Sequence, residues 1–143
     1  MREILFRGKG HDSGEWVYGN LRVSRLKDDP TDYVDIYPVN VGYPDFPMAE
    51  SVYSETVGQY TGLTDKNGTK IFEGDILAQE GETVGFPVRY GVHSCTACDG
   101  VTGVYGFACK YDLQCISKHE KLVVIGNIYD NPELLGGDNN GVY

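Results

Sequence analysis

The segment from Glu55 to Leu77 constrains the fold more than any other part of this chain. Val57, Tyr60 and Leu63 suit a pleated, half-buried surface. Asp65-Lys66-Asn67-Gly68 then breaks the run, and Asn-Gly offers two residues that tolerate positive φ, as a tight hairpin turn requires. Lys70-Ile71-Phe72 restarts the strand. Glu73-Gly74-Asp75 is a second turn signal, and Ile76-Leu77-Ala78 resumes the apolar character. The segment predicts strand, Asn-Gly hairpin, short strand, turn, strand. Asp65, Glu73 and Asp75 are accounted for by turn chemistry before any catalytic role is invoked.

Strand signals extend through the rest of the chain. Ile4-Leu5-Phe6 is one, and Glu15 to Val23 is another, entered through the turn-like residues 10–14. Tyr33 to Tyr37 alternates with period two. Pro38, Pro44 and Pro47 mark residues 38–50 as a loop or a sheet edge, since proline cannot donate to a ladder. Val84 to Tyr90 and Gly103 to Ala108 read as further strands. Leu122-Val-Val-Ile125 is the most apolar run and is expected to be buried on both faces. Asn131-Pro132 is expected to open one helical turn, with Asn131 as N-cap. No window of a dozen residues has an uninterrupted helical apolar pattern. Trp16 is expected to anchor the core.

The 143 residues fit one domain, or two small ones sharing a core. The 19 glycines and 11 tyrosines fit frequent turns between aromatic-rich strands. No apolar run is long enough for a membrane span, and Met1 to Arg7 lacks the apolar core of a signal peptide. A cytoplasmic location is therefore expected. The net charge of -9 is spread along the chain and opposes direct binding to nucleic-acid phosphates. It is compatible with simple solubility, with a basic partner, or with an acidic inhibitor that imitates DNA.

Three segments together resemble the YopX family of phage and prophage proteins. They are Arg2 to Lys9 with Gly14 to Gly19; Tyr60 to Gly68 with Phe72 to Ile76; and Val124 to Leu135. The resemblance implies a mainly β protein whose C-terminal half is a small SH3-type barrel, expressed inside a bacterial host. It brings no activity, cofactor or catalytic residue with it. The expected organisation is an N-terminal β subdomain at 1–53, the barrel at 54–135 and a flexible tail at 136–143. Very little helix is expected. Residues 25–54 and 79–120 depart from the family motifs, the latter as a variable insertion in the barrel, and any function special to this chain is sought there.

The second of these regions holds Cys95, Cys98, Cys109 and Cys115, with His93 and His119 at its flanks. A C-x2-C knuckle can turn two thiolates toward one zinc ion, although the second pair is too widely spaced for another standard knuckle. In a cytosolic setting the readings are zinc, a reactive thiol, or small buried cysteines. No nucleophile elbow and no phosphate-binding loop occur. Tyr33, Tyr37, Tyr43, Phe46 and Tyr53 gather in and beside the proline-rich segment. SH3-type barrels bind peptides through aromatic grooves, so these five are candidate partner-binding residues, with core cover as the alternative. The reading that results is a non-enzymatic module with no cofactor. Its partner is a host or phage protein, and self-association through unpaired strand edges is compatible with it.

Overall fold

A computed structural model describes residues 3–38, 48–93, 104–108 and 122–136, with the backbone alone at 91–93 and 104–108. The chain is mainly β, as the alternating pattern requires. Two 3-10 turns of three residues each, Ser54–Thr56 and Pro132–Leu134, are the helical elements among the described residues. The chain divides into two compact units, Met1–Tyr60 and Thr61–Tyr143. Among the described residues the sheets are antiparallel and open, and no barrel closes.

In the first unit β1 (Phe6–Lys9), β2 (Trp16–Arg25), β3 (Asp32–Pro38) and β4 (Glu50–Ser51) follow in an antiparallel meander. The start of β5 (Gly58–Thr64) pairs with the other edge of β1. The sheet curls strongly. Val52, just past β4, bridges to Gly10, just past β1. His11 N–H donates to Ser51 O at 2.9 Å and Tyr53 N–H to Lys9 O at 2.8 Å. Inside the curl Val17, Ile36 and Val52 form a core, with Leu21, Val34 and Val57 against it. Trp16 is not part of this core. It is half-buried, with the Arg7 guanidinium 4.6 Å from the ring centre and the Lys9 ammonium at 5.7 Å. The register explains this: Trp16 precedes Val17, so its side chain lies on the opposite face.

In the second unit the far end of β5 neighbours β6 (Lys70–Phe72). A three-stranded sheet follows, ordered β11 (Leu122–Asn127), β7 (Asp75–Gln79), β8 (Phe86–Pro87). β9 (Arg89–His93) and β10 (Val104–Ala108) form a separate hairpin. The strand buried on both faces is β7, where Ile76, Leu77 and Ala78 are all buried. The apolar run of β11, expected in that role, is half-buried throughout because β11 lies at the sheet edge. Ile71, Leu77 and Val88 form the local core.

The Asn-Gly hairpin differs from the expected form. Gly68 has φ +84°, but Asn67 does not enter the positive-φ region. Gly68 N–H donates to Asp65 O, giving an ordinary turn followed by one left-handed residue. Asp65 organises the junction. Its Oδ1 accepts from Asn67 N–H at 2.8 Å and Thr69 N–H at 2.9 Å. Its Oδ2 accepts from Val124 N–H at 3.0 Å, while Lys66 N–H donates to Leu122 O at 3.1 Å. The outward edge of β11 is thus met by one carboxylate oxygen and one amide. Asp65→Ala orphans three backbone donors and is expected to cost about 2–3 kcal/mol. A urea melt checks this; a loss under about 1 kcal/mol would mean that water replaces the carboxylate.

The second turn follows the same logic. The buried Asp75 accepts from Phe72 N–H at 2.8 Å. Gly74 N–H donates to Val88 O, and Gly74 O accepts from Ile128 N–H. Near the C-terminus Asn131 precedes the 3-10 turn but does not cap it with its side chain. Its Oδ1 reaches back to Asn127 N–H at 3.2 Å instead, and Asn127 Oδ1 accepts from Tyr129 and Asp130 N–H.

Candidate functional site

The face of β2 and β3 that points away from the first-unit core carries a connected row of polar and aromatic groups. Period-two alternation puts Tyr18, Asn20, Arg22 and Ser24 on one side of β2. The register sets Asn20 opposite Tyr37, Arg22 opposite Asp35, and Ser24 opposite Tyr33. Tyr18 and Tyr33 are exposed, at 41% and 44%, and Tyr37 is half-buried.

Arg22 is the centre of this face. Its guanidinium donates to Tyr37 Oη at 2.6 Å and to Asp35 Oδ2 at 2.6 Å. It also lies 5.2 Å from the centre of the Tyr37 ring. Ser51 Oγ donates to Asp35 Oδ1 at 3.0 Å, so β4 holds the carboxylate from its other side. The Arg22 bond holds the Asp35 carboxyl below the usual carboxylate range, and Asp35 in turn raises Arg22. The Asp35 side chain is only 13% exposed while Arg22 is 52% exposed, so this ion pair fixes a rigid base under a solvent-facing cation.

At the end of the β2–β3 ribbon the Tyr33 hydroxyl donates to Asp29 Oδ2 at 2.8 Å. Thr31 N–H donates to Asp29 Oδ1 at 2.8 Å. The Thr31 bonds, then Tyr33, lower Asp29, and Asp29 raises the Tyr33 phenol. Both exposed ends of Tyr33 and Tyr37 are therefore held by hydrogen bonds.

The five predicted partner-binding aromatics do not form one cluster. Tyr33 and Tyr37 share the face just described. Tyr53 is exposed elsewhere, with its ring tilted against His11 at 4.2 Å between centres. Tyr43 and Phe46 lie outside the described residues. So do Cys95, Cys98, Cys109 and Cys115, together with His119 and the tail from residue 137. Among the described residues no group of three His, Cys, Asp or Glu side chains could hold a metal ion. Tyr18 and Arg22 were not among the predicted site residues. Their signal is the register of the hairpin, which alternation alone does not supply.

The residues Asp65, Asp75 and Asn127–Asn131 are spent on turns. A model of the YopX protein family matches residues 5–136. The chain belongs to the YopX family. This YopX-family chain is also similar to a solved structure, that of protein EF1440 from Enterococcus faecalis. The two are 24% identical with a TM-score of 0.47, over 95% of this chain and 100% of that one. No curated protein matches the YopX-family chain. Among the described residues no helix is long and apolar enough to cross a membrane.

Proposed function

We propose that this YopX-family chain is a non-enzymatic protein-binding module whose partner docks on the outer face of β2 and β3. The observation that carries the reading is the Arg22–Asp35–Tyr37 network beside exposed Tyr18 and Tyr33. Tyrosine and arginine are the side chains most often found at binding hot spots, and here they stand on paired strands rather than on a mobile loop. A ring that is already held loses little rotamer freedom when a partner covers it.

In this reading the partner is a host or phage protein met in the bacterial cytoplasm, and no cofactor takes part. The family resemblance supports that setting. We also read residues 54–135 as an SH3-type arrangement; the short antiparallel strands of the second unit, with β11 returning to β7, support it.

The test is a capture experiment with host lysate, using the wild-type chain and a Y33A/Y37A variant as baits. Wild type is expected to enrich a protein that the variant releases, with affinity falling about thirtyfold for a hot-spot loss of about 2 kcal/mol. Equal enrichment by both baits, with the variant folded by circular dichroism, would place binding elsewhere. Repeated failure of wild type to enrich any protein would defeat the module itself.

A further inference from the structure

β2 is ten residues long, but β1 pairs only with its first part, Trp16 to Gly19. Asn20 to Arg25 therefore has β3 on one side and, among the described residues, no strand on the other. The hydrogen bonds fix which groups point to that open side. Val34 O accepts from Val52 N–H, so Val34 faces β4 and its neighbours Tyr33 and Asp35 face β2. These two lie opposite Ser24 and Arg22. On β2, then, Ser24 and Arg22 bond toward β3, while the main-chain groups of Leu21, Val23 and Arg25 point outward. Gly10 N–H donating to Glu15 O confirms the same odd-numbered parity on the β1 side.

We propose that this edge is a homodimer interface, at which β2 of a second copy adds antiparallel with Val23 on the two-fold axis. An antiparallel two-fold pairing must set residues of the same face opposite each other, which restricts the register. With Val23 on the axis, Val23 meets Val23, Leu21 meets Arg25 and Arg22 meets Ser24. The outward groups of 21, 23 and 25 then form about six main-chain hydrogen bonds. One step away, Arg22 would stand directly against Arg22, a like-charge pair that opposes the ladder. The step the other way puts Ser24 on the axis and leaves only the two Val23–Arg25 pairs in the ladder, about four bonds instead of six, so the Val23 register is favoured.

Charge and burial point to the same occupant. Two copies of a chain of net charge -9 repel over most of their surfaces. Between Arg22 and Asp35, however, three basic side chains stand against four acidic ones, and Arg22–Asp35 and Arg25–Asp32 are already paired. Like-charged copies can meet there with little repulsion. Val23 is 56% exposed although it follows Val17 and Leu21 on the core face of its strand. A two-stranded ribbon that extends past its core is marginal in water, and a continuous sheet across two copies remedies this. The outer face with Tyr33 and Tyr37 stays open, so the dimer does not depend on the partner-binding reading.

The experiment combines sedimentation equilibrium with residue-resolved amide exchange on the full chain. The expected result is a concentration-dependent dimer in which the amides of Leu21, Val23 and Arg25 exchange roughly tenfold more slowly than in the monomer. The amides of Arg22 and Ser24, bonded to β3, should be protected at every concentration. V23D sets two carboxylates face to face on the axis and should remain monomeric, with an unfolding midpoint near that of wild type at a protein concentration where wild type is itself monomeric. V23P, which removes an outward N–H and is tolerated on an edge strand, should also remain monomeric. A monomer at all concentrations would overturn the proposal. So would a dimer whose 21, 23 and 25 amides stay fast, or one that V23D and V23P leave intact.

Discussion

Gly19→Ala is expected to destabilise the first unit by about 3 kcal/mol or more, as befits forced overpacking in a well-packed site. A Cβ built at Gly19 would lie 1.9 Å from Tyr37 O and 2.7 Å from the Tyr37 carbonyl carbon. Neither atom belongs to a side chain that can rotate away. The methyl group must push β3 from β2 at the row where Asn20 meets Tyr37, so the Arg22–Tyr37 contact should loosen too. Thermal or urea unfolding measures the loss. Gly14→Ala is the contrast. Gly14 has φ +67° but nothing within 4 Å of its Cβ position, so only the conformational cost of about 1 kcal/mol remains. Equal effects at the two sites would refute the close-approach argument.

Ile36→Ala should cost about 3–4 kcal/mol, within the usual range for a buried Ile-to-Ala change. Ile36 is 0% exposed and sits between Val17 and Val52 at the centre of the curled sheet. The Gly8 Cβ position is 3.3 Å from Ile36 Cδ1 and 3.0 Å from Val52 Cβ, so β1, β3 and the residue after β4 converge on one side chain. Collapse around the cavity is hindered because the bridge from Val52 to Gly10 holds both sides. Ile36→Val should lose only about 1 kcal/mol. Urea midpoints of the two variants test the ratio. If the alanine variant loses under about 1.5 kcal/mol, the curl relaxes more easily than its bonds suggest.

The strands were largely legible in the sequence because period two and turn residues are local signals. The strands Trp16–Arg25, Asp32–Pro38, Lys70–Phe72 and Leu122–Asn127 overlap the expected runs Glu15–Val23, Tyr33–Tyr37, Lys70–Phe72 and Leu122–Ile125 with ends shifted by up to two residues, and Pro38, expected in the loop or edge at 38–50, closes the second of them. What was not legible is pairing. The apolar run at Leu122 reads as doubly buried, yet its place in the strand order makes it an edge, and Ile76-Leu77-Ala78 takes the centre. Trp16 reads as a core anchor because of its size, but its parity relative to Val17 puts it outside. Asn131 reads as a cap, and a nearby unmet amide at Asn127 claims its oxygen. The site follows the same rule. Tyr33 and Tyr37 could be named from composition, whereas Tyr18 and Arg22 join them only through the β2–β3 register. The family motifs record turn chemistry for the same reason, since Asp65 and Asp75 accept backbone amides at fixed short spacings.

The contact between Asp65 and Val124 also sets an order of events during synthesis. The two residues are 59 positions apart. At 5–20 residues per second a ribosome needs on the order of 3–12 s to pass from one to the other. During that interval the hairpin at 65–69 can already form, whereas β7 has no partner on the side that β11 will take. A nascent chain paused there offers neighbouring chains on the same message an uncovered strand. Arrival of Val124 ends the exposure, because one early carboxylate and one early amide stand ready for the last strand. Slowing translation after β7 has emerged from the ribosome and before β11 has done so should therefore raise co-translational aggregation more than slowing it before Asp65 has emerged.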